Sequence, residues 1–175
     1  ATASNGAVGL YHIDRLTPEA VEQGESLIKP DAKVYVIDDA ELERVKASYP
    51  VIWKDKDATP RLCFMGCPHM TFFQLNDWTE KLEAKLKEKG RRKVAIKTVF
   101  TSAPGVIKEF EKTENYKKLK DMGVVVSYIC PLMYMNNPMC AKMPVITNSN
   151  KLRTYTTSRY YSDSEILDQI TGGAK

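Results

Sequence analysis

Short apolar runs, several of them rich in β-branched residues, recur along the chain, and longer stretches with helical spacing separate them. The runs predict five strands, at residues 33–38, 61–66, 93–100, 124–129 and 145–147. The fourth run, VVVSYI, is almost entirely apolar, which predicts a strand covered on both faces.

The clearest helical pattern runs from Thr71 to Lys89. Its apolar residues recur at spacings of three and four, which places them on one stripe: Leu75, Trp78, Leu82 and Leu86. Gly90 ends the pattern. Other helices are predicted near residues 17–27, 38–49, 104–112, 115–122, 149–155 and 162–170, and Ser162 to Glu165 resembles a capping box. An irregular tract rich in Met and Pro covers residues 131–144.

Strands that alternate with helices predict an α/β fold. We expect a mostly parallel sheet of about four or five strands with helices on both faces, a Rossmann-type three-layer arrangement. Neither an internal repeat nor a linker is visible, so residues 1–175 are expected to form a single domain.

Composition changes this picture little. The 175 residues are 43% hydrophobic and 27% charged, as in an ordinary globular protein. The net charge is +4, and the main basic cluster is Lys85–Lys93. It has no interleaved aromatic residues and is interpreted as a solvated helix end rather than a nucleic-acid site. No apolar run is long enough to cross a membrane, and no signal peptide is visible. A first residue other than Met suggests a processed product or part of a longer chain.

The carboxyl ends of parallel strands meet at one sheet edge, where ligands of such folds bind. Reactive or polar residues follow four predicted strands: GCPHMT after the second, TSAPG after the third, CPLMYMNNPMC after the fourth and TNSNKLRTY after the fifth. Their common position makes this edge the expected site.

The four cysteines have no CxxC spacing, which favours reduced thiols in the cytoplasm, although a disulfide is not excluded. Cys67 has two interpretations: a small buried residue, or a thiolate whose pKa is lowered by the helix that follows. Cys63 lies within a strand, which favours core packing. Cys130 would face Cys67 if their strands were neighbours, and two such thiolates suit an iron–sulfur cluster. The pattern assigns no role to Cys140.

The segment Thr147–Lys151 places hydroxyl, amide and ammonium groups between a strand and a helix. Such a junction either binds carboxylate or phosphate or is only a well-capped helix with a surface lysine. His12 has the same two interpretations, a ligand-facing group or a structural histidine.

Four segments in this order resemble one family: GLYHIDRLTPEA, MGCPHMTFFQL, GVVVSYIC and VITNSNKLRTY. From Gly9 to Tyr155 the chain resembles the C-terminal half of the catalytic (large) subunit of aconitase X, a branch of the aconitase superfamily. The resemblance implies an aconitase-like fold and a hydro-lyase that removes water from 3-hydroxyproline or mevalonate 5-phosphate. It also implies an iron–sulfur cluster, in which one iron acts as a Lewis acid, and a small swivelling domain or subunit that closes the site.

The resemblance also implies roles for individual residues. Cys67 and Cys130 would hold the cluster, with a third ligand outside this chain. His69, Ser149 and Lys151 would act at the catalytic site. The substrate would be bound by His12, Thr147, Asn148, Ser149 and Lys151.

The chain departs from the family pattern in its length, about half that of the large subunit, and in Asn150, where a small residue is expected. We therefore expect a domain of a larger enzyme that is inactive alone, with the missing N-terminal segment and the small subunit as partners. The alternative is a non-catalytic binding or subunit-interaction module with the same fold. A nucleotide-binding domain ranks last, because neither G-x-G-x-x-G nor a P-loop occurs.

Overall fold

The computed structural model describes residues 6–172, which divide into two compact units between Pro50 and Val51. The prediction of a single domain over residues 1–175 stays a prediction. The first unit contains α1 (Pro18–Gln23), a 3₁₀ turn (Gly24–Leu27) and α2 (Asp39–Ala47). Helix α2 begins where the sequence predicts, because the Asp38 carboxylate accepts a hydrogen bond from the Glu41 amide at 2.8 Å.

The second unit carries the sheet. Its strands are β1 (Leu62–Met70), β2 (Lys97–Ser102), β3 (Val124–Ser127), β4 (Val145–Thr147) and β5 (Arg159–Tyr160). Its helices are α3 (Phe72–Glu88), α4 (Pro104–Phe110), α5 (Glu114–Asp121), α6 (Pro131–Met135), α7 (Pro138–Ala141), α8 (Asn150–Tyr155) and α9 (Asp163–Ile170). The strand order is β3-β2-β1-β4-β5, and every pairing is parallel. The predicted α/β fold with a parallel sheet is confirmed.

Helices cover both faces of the sheet, as predicted. Side chains alternate along β1, so that Cys63 and Met65 join a core with α3, α5 and α9, whereas Leu62 and Phe64 join a core with α6 and α8. The predicted stripe of α3 is buried in the first of these cores. No helix in the described part of the chain has the length and apolar character to span a membrane.

Three strand predictions differ from the structure. Residues 33–38 form no strand, because none of the described segments pairs with them. The third predicted strand begins at Lys97 rather than Lys93. The prediction that VVVSYI is covered on both faces is wrong: β3 lies at the sheet edge, and Val125 is 46% exposed. The two-residue strand β5 was too short to be predicted.

Candidate active site

The carboxyl half of β1 leaves the regular sheet. Met65 pairs with Phe100 and Met70 pairs with Ser102, so the four residues between Met65 and Met70 lie opposite Thr101 alone. This wide bulge pushes the segment Gly66–His69 out of the ladder. Bulges of this kind commonly re-aim side chains near functional sites.

Gly66 makes the bulge possible. Its φ is +104°, and a Cβ at this position would lie 2.5 Å from the Thr101 hydroxyl oxygen and closer still to the Thr101 carbonyl oxygen. Only glycine fits both the backbone angle and this approach.

Two buried hydroxyls of β2 hold the bulge in place. The Thr101 hydroxyl donates to the Gly66 carbonyl at 2.7 Å, and the Ser102 hydroxyl donates to the Met70 carbonyl at 2.5 Å. These bonds hold the backbone carbonyls at the two ends of the bulge. The TSAPG segment therefore supports the Cys67 loop from the neighbouring strand.

Cys67 lies in this loop, and its peptide bond to Pro68 is cis. Its side chain packs into the core shared with α6 and α8 and is 8% exposed. The hydroxyl of Ser149, which follows β4, donates to the Cys67 carbonyl and accepts from the Leu152 amide at 3.0 Å. A single side chain thus caps α8 and joins the exits of β1 and β4.

The environment of Cys67 raises the pKa of its thiol, mainly because burial disfavours the charged form. Ser149 and Lys151 act in the opposite direction and lower this pKa, whereas the Cys130 thiol adds to the rise. The expected lowering by the following helix is wrong. Helix α3 begins only at Phe72, and Thr71 and Gln74 already cap its amide groups.

Cys130 influences Cys67 although their strands are not neighbours in the sheet. Strand β2 lies between β1 and β3, so the condition that their strands are neighbours is not met. After Cys130 the chain turns into α6, and the Tyr134 ring stacks on Phe64 of β1 with centroids 5.2 Å apart. The Cys130 thiol then lies close enough to influence the Cys67 pKa.

Cys63 and Cys140 have different surroundings. Cys63 is fully buried in the other core, in agreement with its predicted packing role, and burial raises its pKa. Cys140 is partly buried and packs against the core that contains Cys67. Within residues 6–172, no three or more His, Cys, Asp or Glu side chains are grouped so that they could hold a metal ion.

The other predicted site residues fall into two groups. Thr147, Asn148, Ser149 and Lys151 lie together at the β4 exit, where the Thr147 hydroxyl accepts from the Ser149 amide at 3.1 Å. His69 is exposed at the end of the bulge. His12 belongs to the first unit, where its Nδ1 lies 3.8 Å from a Glu19 carboxylate oxygen.

A cavity of about 210 Å³ lies beside the Cys67 loop. Besides Cys67, Asn148 and Ser149, it is lined by Gln74, Trp78 and Asp163, which the sequence did not indicate. Asp163 accepts a hydrogen bond from the Asn148 amide nitrogen at 2.8 Å. The capping signals of α3 and α9 could have identified Gln74 and Asp163, since both helices begin at the carboxyl edge of the sheet. A larger cavity of about 690 Å³, around Trp53 and Pro144, lies at the amino end of β4.

This combination, a parallel α/β sheet with a thiol-bearing bulge at the carboxyl ends of its strands, defines the class of fold and site. Residues 60–167 match the family model for the third domain of aconitase X. The match covers more than half of the chain, and the chain therefore belongs to the aconitase X family.

Two curated relatives are phosphomevalonate dehydratase large subunits. The protein from Methanosarcina mazei is 27% identical over 179 aligned positions, which cover 99% of this chain and 40% of that protein. The protein from Thermococcus kodakarensis is 28% identical over 87 positions, which cover 50% of this chain and 20% of that protein. The chain therefore spans less than half of either relative.

A solved structure agrees on the fold. The holo-form crystal structure of Thermococcus kodakaraensis aconitase X superposes with a TM-score of 0.73 at 18% sequence identity, over 98% of this chain and 42% of that one.

Proposed function

We propose that this chain is the C-terminal part of the large subunit of an aconitase-X-type hydro-lyase. The enzyme would remove water from a hydroxy acid such as 3-hydroxyproline or mevalonate 5-phosphate. Support comes from the family match and from the dehydratase names of the relatives. Because the chain spans 40% of the Methanosarcina protein, it would supply one wall of an active site rather than all of it.

One observation carries the proposal. The Ser149 hydroxyl joins the Cys67 loop to the β4 exit, so that the thiol-bearing segment and the hydroxyl- and amine-bearing segment form one edge. Lys151 lies near enough to lower the pKa of the Cys67 thiol. A thiol that would help to hold a metal and an amine that would bind an anion therefore share one edge, which suits metal-assisted loss of water from a hydroxy acid.

The donor set fits part of an iron–sulfur site. Cys67 and Cys130 offer two thiols within electrostatic reach of one another, and a further ligand would come from outside this chain. Because burial raises the pKa of Cys67, its proton would have to leave when iron binds, and Lys151 would favour the resulting thiolate. When bound, the cluster would supply a Lewis acid for the departing hydroxyl.

The remaining roles follow the geometry of the β4 exit. Lys151 would bind a substrate carboxylate or phosphate through its ammonium group. Ser149 and Thr147 would position the turn, because their hydroxyls are already engaged with the Cys67 carbonyl and the Ser149 amide. Asn148 would present its amide to the substrate while Asp163 fixes its orientation. His69 would act at the catalytic site and His12 would bind the substrate, as the family resemblance implies; both residues are exposed.

The partners would be the preceding part of the large subunit and a small swivelling subunit that supplies the base. The large-subunit names of both relatives support a second subunit. The whole enzyme would work in the cytoplasm, where thiols stay reduced.

The test uses the complete large subunit together with its small subunit, reconstituted with iron and sulfide without oxygen. Loss of water is measured separately with 3-hydroxyproline and with mevalonate 5-phosphate. We expect Lys151→Ala to raise KM about tenfold or more for the active substrate, because a charge-assisted bond to its anion is lost. Lys142→Ala, at an exposed position away from the strand exits, is the control.

Two results would refute the proposal. If neither hydroxy acid is dehydrated while the subunits still associate, the non-catalytic interaction module becomes the better description. If residues 1–175 alone are fully active, the chain is not a part of a larger site.

A further inference from the structure

The described part of the first unit, residues 6–50, has no hydrophobic core of its own. Among residues 6–50 only Ala20 is buried, whereas twelve large hydrophobic side chains in the same range are exposed. Ordering a chain costs roughly 1–2 kcal/mol per residue in backbone entropy, which buried apolar surface normally offsets. Residues 6–50 do not bury such surface by themselves.

The exposed apolar residues concentrate in one run. Val34, Tyr35, Val36 and Ile37 are between 67% and 88% exposed. Within the described residues 6–172, no backbone–backbone hydrogen bond involves Lys33 to Ile37. Four consecutive large side chains therefore face solvent, next to backbone amide and carbonyl groups that have no backbone hydrogen-bond partner among the described residues.

This run has the properties of an inner β-strand. β-branched and aromatic residues favour strands. In an extended strand Val34 and Val36 would face one side and Tyr35 and Ile37 the other. Both sides are apolar, which is typical of a strand covered on both faces in a parallel sheet. Exposed edges of this kind pair readily with another strand.

The comparisons place residues 6–50 outside the third domain and beside further chain in a relative. The third-domain match begins at residue 60, so residues 6–50 precede that domain. The alignment with the Methanosarcina large subunit covers 99% of this chain, residues 6–50 included, but only 40% of that protein. In that relative, the counterpart of the run therefore shares one polypeptide with a large further segment.

We propose that Val34–Ile37 forms an inner strand of a β-sheet whose other strands come from the segment of the large subunit that precedes this chain. The inference rests on the proposed placement of the chain within a large subunit. Main-chain hydrogen bonds would give the pairing its strength, and the alternating side chains would fix its register. The first unit is then the end of a neighbouring domain, to whose sheet it contributes this strand.

The test is amide hydrogen exchange on the complete large subunit, read by mass spectrometry of peptides that contain residues 33–38. We expect these amides to exchange slower by a factor of about a thousand or more than in an unstructured peptide. In residues 1–175 alone they should exchange at nearly the unstructured rate.

A charged substitution gives a second measurement. Val36→Lys should speed exchange of residues 33–38 in the large subunit, or prevent its folding, because a lysine would be buried without a partner. Val21→Lys is the matched control, since Val21 on α1 is 66% exposed and Val36 is 70% exposed. In the Val21→Lys protein, residues 33–38 should exchange at the same rate as in the unsubstituted protein.

Several outcomes would overturn the inference. Unprotected amides in the complete large subunit would show that the run is a surface loop. Protection that disappears on dilution, together with dissociation of a dimer, would identify a second copy as the partner instead. Equal effects of the Val21 and Val36 substitutions would remove the special role of the run.

One further outcome separates this inference from the proposed function. A protected run in a large subunit without dehydratase activity would refute the proposed function and leave this inference standing.

Discussion

The two halves of β1 are built on different principles. From Leu62 to Met65 the strand pairs in register with β2, its side chains alternate between two cores, and all four are at most 5% exposed. From Gly66 onward the ladder is interrupted. Side-chain hydroxyls of Thr101, Ser102 and Ser149 then hold the backbone.

The difference separates stability from chemistry within one strand. Cys63 lies in the regular half, where burial raises its pKa and no ionised or hydrogen-bonding partner opposes the rise. Cys67 lies in the bulged half, where Ser149 and Lys151 partly oppose the effect of burial. The same residue type therefore acts as core filling at one position and as a candidate ligand four residues later.

The largest expected effect comes from replacing Cys67 with alanine, and the same replacement at Cys63 is its control. In the complete enzyme Cys67→Ala should lower kcat/KM about a thousandfold and reduce bound iron, because a Lewis acid contributes several kcal/mol to such reactions. Cys63→Ala should keep iron and activity and cost only about 1–2 kcal/mol in free energy of unfolding. Iron content, kinetics and urea denaturation measure these effects. Equal iron loss in both variants would contradict the division of the strand.

The bulge itself can be tested with Gly66→Ala. The added Cβ would clash with Thr101, and alanine would have to adopt a positive φ that is unfavourable for it. We therefore expect a loss of about 2–3 kcal/mol in free energy of unfolding. Gly105→Ala is the matched control. No atom lies within 4 Å of a Cβ at that position, which is inside helix α4, so alanine should be neutral or slightly stabilising. Urea denaturation of both variants decides the matter, and similar stabilities would mean that the loop tolerates a Cβ.

The regular half of β1 and the helix after it could be predicted from the sequence. Local signals indicate them: the apolar run Leu62–Met65, the apolar stripe of α3 and the turn at Gly90. The bulge could not be predicted, because it depends on the register between β1 and β2, and register is a property of two distant segments.

Other features also depend on contacts between segments that are distant in the sequence. Residues 33–38 carry a strong strand pattern but find no partner among the described residues, so propensity alone misled. Cys130 influences the Cys67 pKa although β2 separates their strands, which no local pattern indicated. Asp163 faces the cavity only because α9 begins at the same sheet edge.

A smaller effect is expected where the two strand exits are joined. Ser149→Ala removes the hydrogen bond to the Cys67 carbonyl and the cap of α8, which should cost about 1–2 kcal/mol in free energy of unfolding and also reduce activity. Thr113→Ala removes a similar cap, on the Tyr116 amide of α5, and should cost about as much without an effect on activity. Kinetics and denaturation of both variants separate the two roles. Equal activity losses would mean that the Ser149 contact is structural only.

The smallest effect concerns the charge state of Cys67. Because burial raises its pKa, alkylation of Cys67 by iodoacetamide in the chain should reach its half-maximal rate above the ordinary thiol pKa of about 8.5. Lys151 stabilises the thiolate, so Lys151→Met should move this midpoint further upward, whereas Lys142→Met should leave it unchanged. Mass spectrometry of the Cys67 peptide across a pH series measures the shift. A midpoint below about 8.5, or a downward shift on loss of the ammonium, would mean that burial does not dominate in the bulged half of β1.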